Sequence, residues 1–183
     1  MYLNQFTGGV GLVAQHDTRD NDWSPTKGWF LNFNNIAYRD WLAGENNFDV
    51  YRLNLRGYWQ HGNGHVLAAR QLDQWTVDAP PAAYSPVILR GYKMGQYLGK
   101  HMSSIELEER LHLASRWTST FFAGIACLYG GDLNCTDSAN VYPDYGAGVQ
   151  FIVKPKEGIV ANLEYAKGKS DNYGIYLKMG YAY

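Results

Sequence analysis

Residues 172–183 read NYGIYLKMGYAY, and every second side chain is apolar: Tyr173, Ile175, Leu177, Met179, Tyr181 and Tyr183. The alternate set, Gly174, Tyr176, Lys178, Gly180 and Ala182, is small, hydroxylated or charged. A period of two places the two sets on opposite faces of a β-strand. One apolar, aromatic-rich face backed by a small or charged one suits a strand whose outside meets lipid and whose inside meets water.

Composition agrees with that reading. The 183 residues are 15% aromatic, with 15 Tyr, 6 Trp and 20 Gly, which is rich for an ordinary soluble fold. No apolar run approaches the roughly 20 residues of a membrane helix, so a helical membrane protein is excluded. The negative mean hydropathy of -0.37 is compatible with barrel strands, half of whose residues face a polar interior. A net charge of -1 without a basic block argues against nucleic-acid binding. Residues 1–7 are too short and uncharged for a secretory signal, so the chain reads as a mature form or a fragment.

Outward from residues 173–183, alternating runs fall at 8–17, 28–38, 48–60, 65–76, 103–113, 118–129, 145–153 and 159–167. These are roughly nine runs of the length a tilted transmembrane strand needs. In the third, Tyr51, Leu53, Leu55 and Trp59 face one way and Arg52, Asn54, Arg56, Tyr58 and Gln60 the other. An arginine facing the lipid midplane costs about 2–4 kcal/mol, so Arg52 and Arg56 belong to the interior. The fifth run places Glu106, Glu108, Arg110 and His112 opposite Ile105, Leu107, Leu111 and Leu113, while Glu109 interrupts the apolar side and needs a rim position or a partner. Glu164 and Lys178 extend the interior row through the last two runs. The fourth run, with Arg70, Gln71 and Asp73, does not sort into faces. A soluble sandwich also alternates, but its apolar side should be less aromatic.

Links at 61–65, 114–117 and 154–158 are short, and those at 77–102 and 130–144 are long. Alternation of this kind fits periplasmic turns and surface loops, with the C-terminus periplasmic. Bacterial single-chain barrels have an even number of strands. Nine runs therefore predict that the first does not span, that the chain is part of a larger barrel, or that two copies join through open edges.

The longest link carries Leu89-Arg90-Gly91-Tyr92, which resembles the VRGF/VRGY loop motif of the BamA-like superfamily, also called the bacterial surface antigen family. Asp17-Thr18-Arg19-Asp20-Asn21 with Pro25-Thr26-Lys27-Gly28 is similar to its D-x-R-D-N…P-T-x-G signature, and Glu108-Glu109-Arg110 to its E-x-R strand. Tyr173, Tyr181 and Tyr183 look like the C-terminal signal of outer-membrane barrels. The resemblance covers nearly the whole chain from Gly8. It implies a single all-β domain over residues 1–183: an antiparallel transmembrane barrel of about eight strands, the C-terminal part of the family barrel, in a Gram-negative outer membrane. It further implies that the loop folds into the barrel and that Arg90 pairs with Glu106 or Glu108, a pairing the inward face of the fifth run also makes available. The family's aspartate in a pattern like F-x-D-x-G is absent, since Phe122-Ala123-Gly124-Ile125-Ala126 stands there. No POTRA domain precedes the barrel, so a member or fragment lacking those domains is expected.

The implied role is non-enzymatic: protein insertion, translocation or membrane perturbation at the barrel seam, with outer-membrane lipids, a client polypeptide or a second copy as partners. Alternatives are the barrel domain of a patatin-like autotransporter and a small lipid-modifying enzyme. For the latter, His16 with Asp17, His101 with Ser103 and Ser104, and His112 with Glu108 are the available groups. None makes a nucleophile, base and orienter set, and no catalytic residue is assigned. Cys127 and Cys135 frame LYGGDLN and are placed to staple a surface loop in an oxidising compartment. No cofactor or metal is expected; His61 and His65 flank a Gly-Asn-Gly turn and read as hairpin caps.

Overall fold

The computed structural model describes residues 8–42 and 44–179; Tyr181 and Tyr183 lie outside them. The described chain is all-β and antiparallel. Its long strands are β1 (Gly9–Asp17), β2 (Gly28–Tyr38), β3 (Phe48–His61), β4 (His65–Val77), β7 (His101–Ala114), β8 (Trp117–Tyr129), β9 (Val141–Lys154), β10 (Ile159–Lys167) and β11 (Tyr173–Met179). They form one nine-stranded meander in chain order. Two short strands, β5 (Ser85–Pro86) and β6 (Leu98–Gly99), pair with each other inside the β4–β7 link.

Among the described residues the sheet is not closed. β1 and β11 are its two edges, which corrects the expected closed barrel of about eight strands. In an antiparallel meander of nine strands the first and last run the same way, so closure would take a parallel ladder, slightly weaker per residue than the antiparallel ones elsewhere in the sheet. The run expected at 145–153 begins at Val141, and that expected at 103–113 begins at His101.

Alternation sorts the sheet into a buried face and an exposed face. On β7, Met102, Ser104, Glu106, Glu108 and Arg110 are buried while Ile105 and Leu107 are half exposed. The cross-strand row Arg70, Glu106, Gly124, Asp144 and the row Ala68, Glu108, Phe122, Gly146 continue the inner face through β4, β7, β8 and β9. β4 now sorts as well: Arg70 is on the inner face opposite Glu106, and Gln71 and Asp73 are on the outer face, Asp73 opposite Leu53 and Ser103. Glu109, which interrupts the outer face, is met at 2.8 Å by His61 Nε2 at the end of β3. β1 is exposed along its whole length.

Candidate functional site

The β4–β7 link turns back over the inner face because it carries its own apolar anchors. Val87, Leu89 and Tyr92 are buried with Leu72, Met102, Ala126, Leu128 and Tyr142 of the wall. The link's stem is closed by the β5–β6 ladder and by Val87 N donating to the Tyr97 carbonyl at 3.1 Å. Ser85 Oγ donates to the carbonyls of Gln74 (3.3 Å) and Lys100 (3.2 Å).

Those anchors carry Arg90 to a set of carboxylates. Its Nη2 and Nε reach the two oxygens of Glu106 at 2.8 and 3.3 Å, and Nη1 reaches Glu108 Oε2 at 2.6 Å and Glu164 Oε2 at 3.5 Å. The guanidinium lies over the Phe122 ring, 3.3 Å from its centroid. A planar fork can serve two carboxylates while stacking on an aromatic face, which an ammonium cannot. Gly91 has φ +88, and a Cβ there would press on the backbone of Lys167 and Gly168. Its N–H donates to Tyr176 Oη at 2.7 Å. Tyr92 Oη donates to the Pro143 carbonyl at 2.6 Å and accepts from Lys169 N at 2.7 Å. Burial pushes this phenol above its ordinary pKa.

The network runs on to the opposite end of the sheet. Glu108 Oε1 accepts from Arg110 Nε at 2.7 Å, and Arg110 Nη1 donates to the buried Pro25 carbonyl at 3.0 Å. Pro25 belongs to the β1–β2 turn, where Asp17 holds Arg19 (2.9 and 2.6 Å) and Asp20 accepts from Thr26 N (2.8 Å) and Thr26 Oγ1 (2.6 Å). Asn21 of the same turn donates to the Glu157 carbonyl at 3.4 Å. One chain of bonds thus joins the long link, the wall and the turn that leads out of the free edge strand.

The resemblance expects an aspartate on β8, where Gly124 stands; a carboxylate reaches the same place from β9. Gly124 pairs directly with Asp144 on β9 and with Glu106 on β7, and a Cβ on Gly124 would run into Asp144 Oδ1, the Ile105 carbonyl and the Glu106 side chain. Asp144 therefore fills, from the neighbouring strand, the space left by the glycine. It is buried, and neither oxygen meets a hydrogen-bond donor. Asp144, Phe122, Tyr176 and the Pro25 carbonyl were not assigned from the sequence. The alternation of β9 alone could have flagged Asp144, but only the register brings it to Glu106.

Elsewhere on the inner face, Arg52 donates to Gln74 Oε1 (3.2 and 2.8 Å) and Arg56 Nε to Asn54 Oδ1 (3.3 Å). Lys178 Nζ lies 4.5 Å from the Tyr176 ring centroid. Cys127 and Cys135 are disulfide-bonded, with a sequence separation of 8. The His16 ring meets Trp29 in a tilted contact, His101 Nδ1 accepts from Thr76 N, and His112 is exposed at the sheet end. Among the described residues no group of three or more His, Cys, Asp or Glu side chains is placed to hold a metal ion, and no helix is long and apolar enough to cross a membrane. Comparison with known proteins finds no family model that matches the chain and no curated protein that matches it.

Proposed function

We propose that the protein is an outer-membrane protein of the BamA-like superfamily. Its curled sheet spans the bilayer with the Arg90 loop latched inside, and its open seam acts on membrane proteins by accepting a β-strand during insertion or translocation. The observation that carries this reading is the pair of free edges, β1 and β11, which run in the same direction and expose Leu12 (79%) and Leu177 (81%) on the apolar side. In hydrocarbon, the unpaired N–H and C=O groups of such edges find no water. One incoming strand running opposite to both would pair with each and bring the sheet to an even count. A second copy inserted in the same orientation could satisfy the same edges only through parallel ladders, which are slightly weaker per residue.

The test uses the chain reconstituted in lipid vesicles, with a photo-crosslinking residue at Leu12, Ile175 or, as a mid-sheet control, Leu107. A urea-unfolded outer-membrane barrel is then added. Cross-links from both edges to the incoming chain, absent from position 107, are expected. Extraction of the protein by alkaline carbonate, or equal labelling at all three positions, would overturn the reading. Native mass in nanodiscs separates a seam left open in a monomer from one taken by a second copy.

A further inference from the structure

Apolar side chains left half-buried on the polar inner face ask for a reason. They gather where the C-terminal ends of β2 and β4 flank the start of β3. The wall there is built of cross-strand rows: Asn34, Arg52 and Gln74 deepest, then Ile36 and Val50, then Tyr38 and Phe48, whose rings stack with centroids 4.3 Å apart. Pro80 and Ala82 of the β4–β7 link line the opposite side, and the cleft so formed holds about 360 Å³. It lies at the end of the sheet that carries the long links, the surface side in the membrane reading.

Arg52 is the one charged residue among the described residues that line this cleft. Its Nε and Nη2 donate to Gln74 Oε1 at 3.2 and 2.8 Å, a neutral acceptor. None of the ion pairs among the described residues includes it. Arg52 is exposed to the cleft, whereas Gln74 is buried. Gln74 thus holds the guanidinium by its Nε edge and leaves the Nη1–Nη2 edge, a fork that fits the two oxygens of a carboxylate, without a protein acceptor. One cation flanked by the amides of Asn34 and Asn46 matches a singly charged group, and the apolar rows beside it match a flat hydrophobic body. Ligand pockets run from roughly 300 to 1,000 Å³, so this one takes a single-ring acid and not an intact lipid. We propose that the cleft binds a small aromatic carboxylate, its oxygens on the free edge of Arg52 and its ring against Ile36, Tyr38 and Val50. The inference uses the inner face alone and is independent of what the sheet edges capture.

The probe is 4-fluorobenzoate, titrated against the chain in phosphatidylcholine nanodiscs, or in buffer if it stays folded without lipid, and read by fluorine NMR against a protein-free blank. Saturable binding is expected, weakened about tenfold or more in Arg52→Gln by loss of the charge-assisted pair and recovered in part in Arg52→Lys. Ala82→Trp, which fills the cleft and keeps the charge, should abolish it. Arg116→Gln, at an exposed arginine of the β7–β8 turn, should keep it. The uncharged 4-fluorobenzamide should bind about tenfold or more weakly, and inorganic phosphate should not displace the probe. Far-UV circular dichroism checks the fold of each variant. Absence of saturable binding, equal affinity for acid and amide, or unchanged affinity in folded Arg52→Gln or Ala82→Trp would overturn the proposal. Displacement by phosphate would overturn it too, leaving an unselective anion site.

Discussion

Replacing Arg90 by alanine should release the loop and leave the sheet standing. The guanidinium serves Glu106, Glu108 and Glu164, each no more than 3% exposed as a side chain. Breaking a buried ion pair by deleting one partner costs about 3–5 kcal/mol, because the other charge is left uncompensated. Glu108 keeps Arg110 at 2.7 Å, so the loss falls chiefly on Glu106, and the lower figure of about 3 kcal/mol is the one to expect. If that cost is local, the released form of the loop becomes roughly 150-fold more populated, at 1.36 kcal/mol per decade. Hydrogen exchange reads that population when reclosing is fast. The amides of Val87 and Gly91, bonded to the Tyr97 carbonyl and Tyr176 Oη, should exchange about that much faster, and the β7 amides should not change. Arg90→Lys should fall between, since a single ammonium cannot span the three carboxylates. Unchanged exchange at residues 87–92, or uniform acceleration across all strands, would refute the assignment of Arg90 as a loop latch.

Asp144→Asn should hold or raise the melting temperature, because an amide can donate to Glu106 where the carboxylate meets no donor; a clear fall would mean that the charge itself is used. Gly124→Asp alone should crowd Glu106 and reduce loop protection, and the exchange Gly124→Asp with Asp144→Gly should recover only part of it, because a Cβ at 124 still meets the Ile105 carbonyl at 2.9 Å. In the β1–β2 turn, burial raises the Asp20 pKa, but hydrogen bonds from Thr26 and Lys27 bring it net below its ordinary value. Its stabilisation is therefore complete above about pH 4 and is lost as pH falls through the lower folded value. Trp23 fluorescence should report an acid transition that Asp20→Asn removes. Reduction of Cys127–Cys135 should loosen residues 130–140 by roughly 2.5 kcal/mol, the chain-entropy value for so short a loop, while the far-UV circular dichroism of the sheet persists. Loss of that signal on reduction would make the disulfide a determinant of the sheet.

The strands were legible because period-two alternation states both existence and face, and β3, β7 and β10 carry charges that only one side can hold. Arg90 with Glu106 and Glu108 was legible for the same reason, once the loop motif and the E-x-R run were seen together. The faces of β4 were not legible, since Gln71 and Asp73 put polar groups on the apolar side, and only their cross-strand partners place them. Openness was not legible either: a strand count suggests the problem, but whether edges meet depends on curvature and direction summed over the whole sheet. The run from Arg90 through Glu108 and Arg110 to Pro25 joins segments 65 positions apart along the chain, and no local pattern announces it.

Gly124 and Asp144 carry a lesson about how a β-sheet can be spelled. Because paired residues on adjacent strands project to the same side at nearly the same point, a carboxylate can change address by one strand and still arrive at Glu106. A signature written along a single strand would register such a relocation as a loss. Related sequences would then be expected to fall into two groups, acid at the first position with a small residue at the second, or the reverse. A search that scores the two positions jointly would recognise as kin chains that a linear pattern keeps apart.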